Sequence, residues 1–89
     1  MMREKVLNTA LQRVAAKPQE YGAPENSFSL IADLWSDYLS TKNGAIELMP
    51  ADVANMMILL KVARNAQGNK EDTWVDIAGY AACGAEVEV

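Results

Sequence analysis

Between Arg3 and Ala16 the apolar residues Val6, Ala10, Leu11 and Val14 recur at spacings of three and four. That period draws one apolar stripe down a helix. The residue before a proline is pushed out of the helical region, so Pro18 is expected to end this helix. The stretch KPQEYGAPEN then reads as a loop, in which Gly22 supplies a positive φ. A second helix is expected from Pro24, a residue suited to a first helical turn, with Glu25 placed favourably for the helix dipole. Phe28, Ile31, Leu34, Trp35, Tyr38 and Leu39 form its apolar stripe, Asp33 and Asp37 lie on another face, and the polar run after Ser40 ends it. A short strand around Ala45 to Leu48 is compatible with the weak pattern that follows.

Pro50 opens a third helix in the same way, with Asp52 in its first turn. The run DVANMMILLKVARN is apolar on nearly every face, the pattern of a central helix. Met56 to Leu60 cannot all meet one neighbour, so some are expected to face helices one and two and the rest helix four or a second subunit. Gly68 and Asn69 break the chain. The fourth helix is expected from Asp72 to Cys83, with Asp72 capping its start and Gly84 ending it. Trp74, Ile77, Ala78 and Ala81 are its expected packing face. The fold class is therefore all-α: one compact four-helix bundle, with helices at about 3–16, 24–40, 50–66 and 72–83.

Size and composition sharpen this picture. A chain of 89 residues forms one small domain with a marginal core, yet 51% of its residues are apolar. A homo-oligomer is the natural destination for the excess. The net charge of −4 argues against general binding to a nucleic-acid backbone. The charge is uneven: Arg3, Lys5, Arg13 and Lys17 lie in the first helix, and Glu71, Asp72, Asp76, Glu86 and Glu88 lie near the end. The two segments are able to attract each other, within one chain or between chains. No apolar run is long enough to span a bilayer, and the start MMREKVLNTALQ lacks a signal-peptide core, so a cytoplasmic location is expected. A single cysteine, Cys83, leaves no intrachain disulfide, and the absence of histidine removes imidazole chemistry.

The candidate chemistry sits on the predicted hairpin of helices three and four. Lys61 and Arg64 are three apart, and Asp72 and Asp76 are four apart, so each pair shares a helix face. Trp74 lies about 200° around the helix from both aspartates, which places the acids off the expected packing stripe. Two readings fit. In one, Asp72 and Asp76, with Asp52 or Glu25, hold magnesium against a phosphate chain that Lys61 and Arg64 contact. In the other, Arg64 pairs with Asp76 or Asp72 to satisfy charge between packed helices, and the spacing alone favours this second reading. Tyr21, beside Gly22, fits either a cover over a base or a plug in the core. Trp35 and Trp74 are expected in the core, Cys83 is a small residue on a packed helix, and Met49, Met56 and Met57 are expected to pack a core or an interface.

Three ordered blocks, EYGAPENSFSLIADLW, PADVANMMILLKVAR and DTWVDIAGYAACGAE, resemble a phage and prophage family of small proteins of unassigned function. The Tyr-Gly loop, the basic third helix and the final Asp-rich helix are also distantly similar to the all-helical nucleoside triphosphate pyrophosphatases of the MazG type. That second resemblance implies an oligomeric bundle that binds a nucleotide through magnesium, in the cytoplasm of the host cell if the chain is phage-encoded. Asp72, Asp76 and Asp52 would fall near its acidic positions. The chain lacks the ExxE and ExxD pairs of those enzymes, so the implied activity is that of a degenerate nucleotide pyrophosphohydrolase. The alternatives are a non-catalytic protein that sequesters a nucleotide or a host defence component, and a structural helical oligomer.

Overall fold

The structure, a computed structural model, describes residues 1–21, 23–68 and 70–88, with side chains for all of these except 17–21, 24 and 25. Four helices follow one another: α1 (Arg3–Tyr21), α2 (Pro24–Asn43), α3 (Pro50–Asn65) and α4 (Glu71–Glu88). The all-α bundle is as the sequence predicts, and three of its boundaries are not.

Helix α1 continues through Pro18 to Tyr21. A proline's fixed φ is itself helical; inside a helix it gives up one backbone hydrogen bond and crowds the preceding turn, a cost that does not forbid the helix. The expected turn at Gly22 lies outside the described residues. Helix α2 runs on to Asn43 and stops at Gly44, whose φ of 79° is a left-handed conformation that favours glycine. Thr41 eases that last turn, its hydroxyl donating to the Tyr38 carbonyl at 2.7 Å. The segment 45–49 forms neither helix nor strand among the described residues. Its amides are satisfied by α2 side chains instead. Ile46 N–H donates to Ser40 Oγ at 3.0 Å, and Leu48 N–H donates to Ser36 Oγ at 2.8 Å. Serine hydroxyls thus replace the neighbouring strand that a β-ladder requires.

Helix α4 begins at Glu71 and passes straight through Gly84 to Glu88. Gly84 is therefore not a cap. A Cβ built there would stand 2.8 Å from Ala54 Cβ of α3, so the glycine permits a close helix approach. Ala54 meets Gly84, and Lys61 meets Asp76, so α3 and α4 form an antiparallel hairpin. Lys5 meets Glu71, and Val14 meets Gly79, so α1 lies along α4 in the same direction.

Helix α4 touches each of the other three and is the structural centre, a place the sequence pattern assigned to α3. The core is thin: Phe28, Ala32, Val53, Ala54 and Cys83, flanked by Val14, Ile31, Trp35, Leu48, Met57 and Tyr80. Phe28 and Tyr80 stack with ring centroids 6.4 Å apart. The radius of gyration is 14.2 Å, against about 12 Å expected for this length. The bundle is flattened, 21 Å across its thinnest direction. One consequence is that Met56, Leu59, Leu60 and Val62 of α3 stay exposed, as do Leu7 and Leu11 of α1 and Leu30, Leu34 and Tyr38 of α2. Each outer helix has one apolar face inside and a second outside.

The packing face of α4 also differs from the expected one. Trp74 is 43% exposed, while Thr73, Val75 and Cys83 are buried. Asp76 and Tyr80 line up with Thr73 and Cys83 along the inner face, whereas Asp72 stays exposed, so only part of the acidic face is packed. The expectation failed because it ranked positions by apolarity. Asp76 is turned inward because Lys61 waits there.

Candidate functional site

Two clusters of charge lie where α1, α3 and α4 meet. The first is an ion-pair network. Lys61 Nζ stands 3.1 Å from Asp76 Oδ2, and Arg13 Nη1 stands 3.7 Å from Asp76 Oδ1. Arg13 Nη2 also donates a 3.0 Å hydrogen bond to Asp72 Oδ1. At the open end, Lys5 Nζ lies 3.5 Å from Glu71 Oε1. The basic α1 and the acidic start of α4 attract each other within one chain, one of the two arrangements that their charges allow. Lys61 is the least accessible member, with a side chain 15% exposed against 29% for Asp76. A part-buried ammonium needs a counter-charge, and Asp76 provides it.

The structure therefore brings Lys61, Asp72 and Asp76 together but leaves Arg64 elsewhere. Arg13, which the sequence offered only as part of a basic first helix able to attract the acidic end, takes the place foreseen for Arg64. Asp72 is within the first turn, not the cap. Asp52 is also engaged, its Oδ2 accepting the Met49 N–H at 2.8 Å while Asp52 N–H donates to the Met49 carbonyl at 2.9 Å. It holds the start of α3. The side chain of Tyr21 lies outside the described residues.

These positions bear on magnesium. Both Asp76 oxygens face a cation, one Asp72 oxygen is bonded to Arg13, and Asp52 is a helix cap. Among the described residues no three acidic or cysteine side chains are grouped to hold a metal. A dication beside Arg13 and Lys61 would meet repulsion of roughly 4 kcal/mol for each pair of unit charges at 4 Å in a partly polar setting. This donor set does not fit magnesium, and no chemistry is derived through it.

The second cluster is a cleft of about 340 Å³ between the end of α3 and the start of α4, lined by Leu60, Ala63, Arg64, Gln67, Lys70 and Thr73. Gly68, with φ 137°, turns the chain beneath it. Arg64 and Lys70 form no ion pair among the described residues. Thr73 is 8% exposed, and its hydroxyl makes no hydrogen bond among them. Lys70 and Thr73 flank Glu71 and Asp72, whose amides, at the first two positions of α4, have no acceptor within the helix. The acids there, Glu71 and Asp72, are matched by Lys5 and Arg13. What remains at the cleft is two cations unmatched among the described residues, a threonine hydroxyl that opens onto it and the positive end of a helix. Lys70, Gln67 and Thr73 were not singled out from the sequence. The available signal was a second cation six residues after Arg64, across the turn.

No helix of the described residues is long and apolar enough to cross a membrane. No solved structure matches the chain. The Gene 55 protein of Mycobacterium phage L5 is 46% identical over 78 residues, which are 85% of this chain and 47% of that protein. The Gene 55 protein of Mycobacterium phage D29 is 39% identical over 84 residues, 92% of this chain and 52% of that protein. The chain thus spans about half the length of the curated relatives it matches. The model of a domain family of unknown function, DUF6378, matches residues 5–88, nearly the whole chain. By that match, and with two phage proteins among its relatives, the chain belongs to the DUF6378 family.

Proposed function

We propose that the protein binds the phosphate group of a nucleotide or a similar small molecule in the cleft between α3 and α4. The observation that carries this reading is the pair Arg64 and Lys70, unmatched among the described residues, beside the Thr73 hydroxyl at the start of α4. A guanidinium offers two parallel donors to phosphate oxygens, an ammonium offers a point charge, and the first amides of a helix add to both. Phosphate contact thus stays with Arg64, passes from Lys61 to Lys70, and leaves Lys61 as the partner of Asp76. Hydrolysis is not part of the proposal, because the carboxylates that would activate water or hold a metal are engaged by Arg13, Lys61 and Met49 N–H.

Thermal unfolding in the presence of a nucleotide panel tests the reading. A ligand at a hundred times its dissociation constant adds about 2.7 kcal/mol to stability, which corresponds to a rise of roughly 10–20 °C for a domain of this size. No rise with any phosphate-bearing compound at millimolar concentration refutes it. The exposed apolar stripes favour a second reading, a helical oligomer whose copies meet through α3. Light scattering on the eluting protein separates the two, since a strict monomer across the micromolar range is incompatible with the oligomer.

A further inference from the structure

The lining of the cleft narrows the ligand further, and the narrowing rests on the phosphate-binding reading. We infer that the ligand is a single phosphomonoester on a small organic body, recognised without a divalent cation. Charge is the first argument. Arg64 and Lys70 bring two positive charges, and among the described residues the lining holds no carboxylate. A phosphomonoester carries about −1.5 to −2 near neutral pH, so the two cations match it. A triphosphate brings more negative charge and ordinarily arrives with magnesium, which one or two protein carboxylates help to hold. Asp72 and Asp76 are the nearest acids along α4 apart from Glu71, and all three are already matched by Arg13, Lys61 and Lys5. A magnesium carried in on the ligand would face Arg64 and Lys70 with no carboxylate of the lining to receive it.

Size is the second argument. A volume of about 340 Å³ is at the small end of ligand pockets. Leu60 and Ala63 give one apolar wall, enough for a ring or sugar packed beside the phosphate. The donors are the third. Thr73 is more than nine-tenths buried, and its hydroxyl has no hydrogen-bond partner among the described residues. A phosphate oxygen in the cleft gives that hydroxyl an acceptor, while Gln67 offers an amide donor at the rim.

The test is calorimetric titration of the full chain with inorganic phosphate, a nucleoside monophosphate and a nucleoside triphosphate, each in EDTA and in millimolar magnesium. The monophosphate is expected to bind in EDTA with an affinity that magnesium changes less than threefold. The magnesium triphosphate is expected to bind at least tenfold more weakly. Arg64→Ala and Lys70→Ala are each expected to lower monophosphate affinity at least tenfold while leaving the melting temperature of the free protein in place. Binding that requires magnesium, or a magnesium triphosphate that binds more tightly than the monophosphate, overturns this inference and leaves phosphate binding standing. If both variants bind as the unaltered chain does, the ligand does not occupy the cleft and the inference is overturned. If no probe binds in either buffer, the phosphate-binding reading falls with it.

Discussion

Adding one methyl group at each of two glycines of α4 should move stability in opposite directions. At Gly84, a Cβ would stand 2.8 Å from Ala54 Cβ, well inside the ~3.5–4.0 Å at which two carbons attract. Ala54 is buried and its Cβ is fixed to the α3 backbone, so relief requires the two helices to separate by a good part of an ångström. Overpacking of this kind costs about 1–3 kcal/mol. Against it stands the helix preference of alanine over glycine, about 0.8–1 kcal/mol. Gly84→Ala is therefore expected to be destabilising by about 0–2 kcal/mol. At Gly79 the added Cβ would lie 3.6 Å from Val14 Cγ2, an ordinary contact. Only the helix preference then acts, and Gly79→Ala should stabilise by up to about 1 kcal/mol. Urea unfolding of the two variants measures both, with the slope expected to be unchanged. The contrast should be about 1–3 kcal/mol. If Gly84→Ala stabilises as much as Gly79→Ala, the close α3–α4 approach and the reasoning from it are wrong.

The part-buried ion pair gives an asymmetric expectation. Asp76→Ala strands the Lys61 ammonium and should cost about 1–3 kcal/mol, whereas Lys61→Met keeps the packing and should cost less than about 1 kcal/mol. Equal costs in denaturant unfolding would contradict that account. The first turn of α3 offers another check: Asp52→Ala removes the acceptor of Met49 N–H and should lower stability by about 0.5–2 kcal/mol, read by thermal unfolding. Exposed residues should behave differently, and Leu59→Gln, 66% exposed on α3, should shift the stability of a monomer by less than about 0.5 kcal/mol. A larger loss that grows with protein concentration would favour the oligomer.

Helix number and order were legible because each helix carries an apolar stripe or an apolar run, and all four begin beside a proline or an acid. The ends were less legible, for physical reasons. Gly84 looked like a cap, since glycine at a helix end and glycine at a helix crossing are the same letter, and only the nearness of Ala54 tells them apart. Pro18 looked like a stop because its local cost is large, yet α1 continues through it to Tyr21. The strand imagined at Ala45 to Leu48 vanished because Ser36 and Ser40, a turn apart on α2, take over its hydrogen bonds. At the site, the basic and acidic pairs on α3 and α4 were visible but their matching was not. Periodicity tells which face a residue occupies, not that α1 would lie along α4 and put Arg13 on both Asp72 and Asp76.

That placement of α1 has a consequence for the cleft. The chain has a net charge of −4, yet the long-range field of the distant acids is screened within about 8 Å at physiological salt. What an anion meets in the cleft is set by its immediate neighbours; Glu71 and Asp72 both lie between Lys70 and Thr73 in the chain, and the more exposed of the two is Asp72. Arg13 neutralises it from the far side of α4. Arg13 is half-exposed, so losing it should cost only about 0–1 kcal/mol in stability. Monophosphate affinity should fall more than that stability loss predicts, because the released carboxylate turns its charge on the same anion that Arg64 and Lys70 attract. Arg13→Ala alone cannot separate this effect from a shift of α1. Adding Asp72→Asn can, because it removes the charge without restoring the contact. The double variant should recover most of the lost affinity and none of the stability. Affinity that stays low in the double variant would mean that α1 holds the cleft by its packing, and that the charge argument for Arg13 is mistaken.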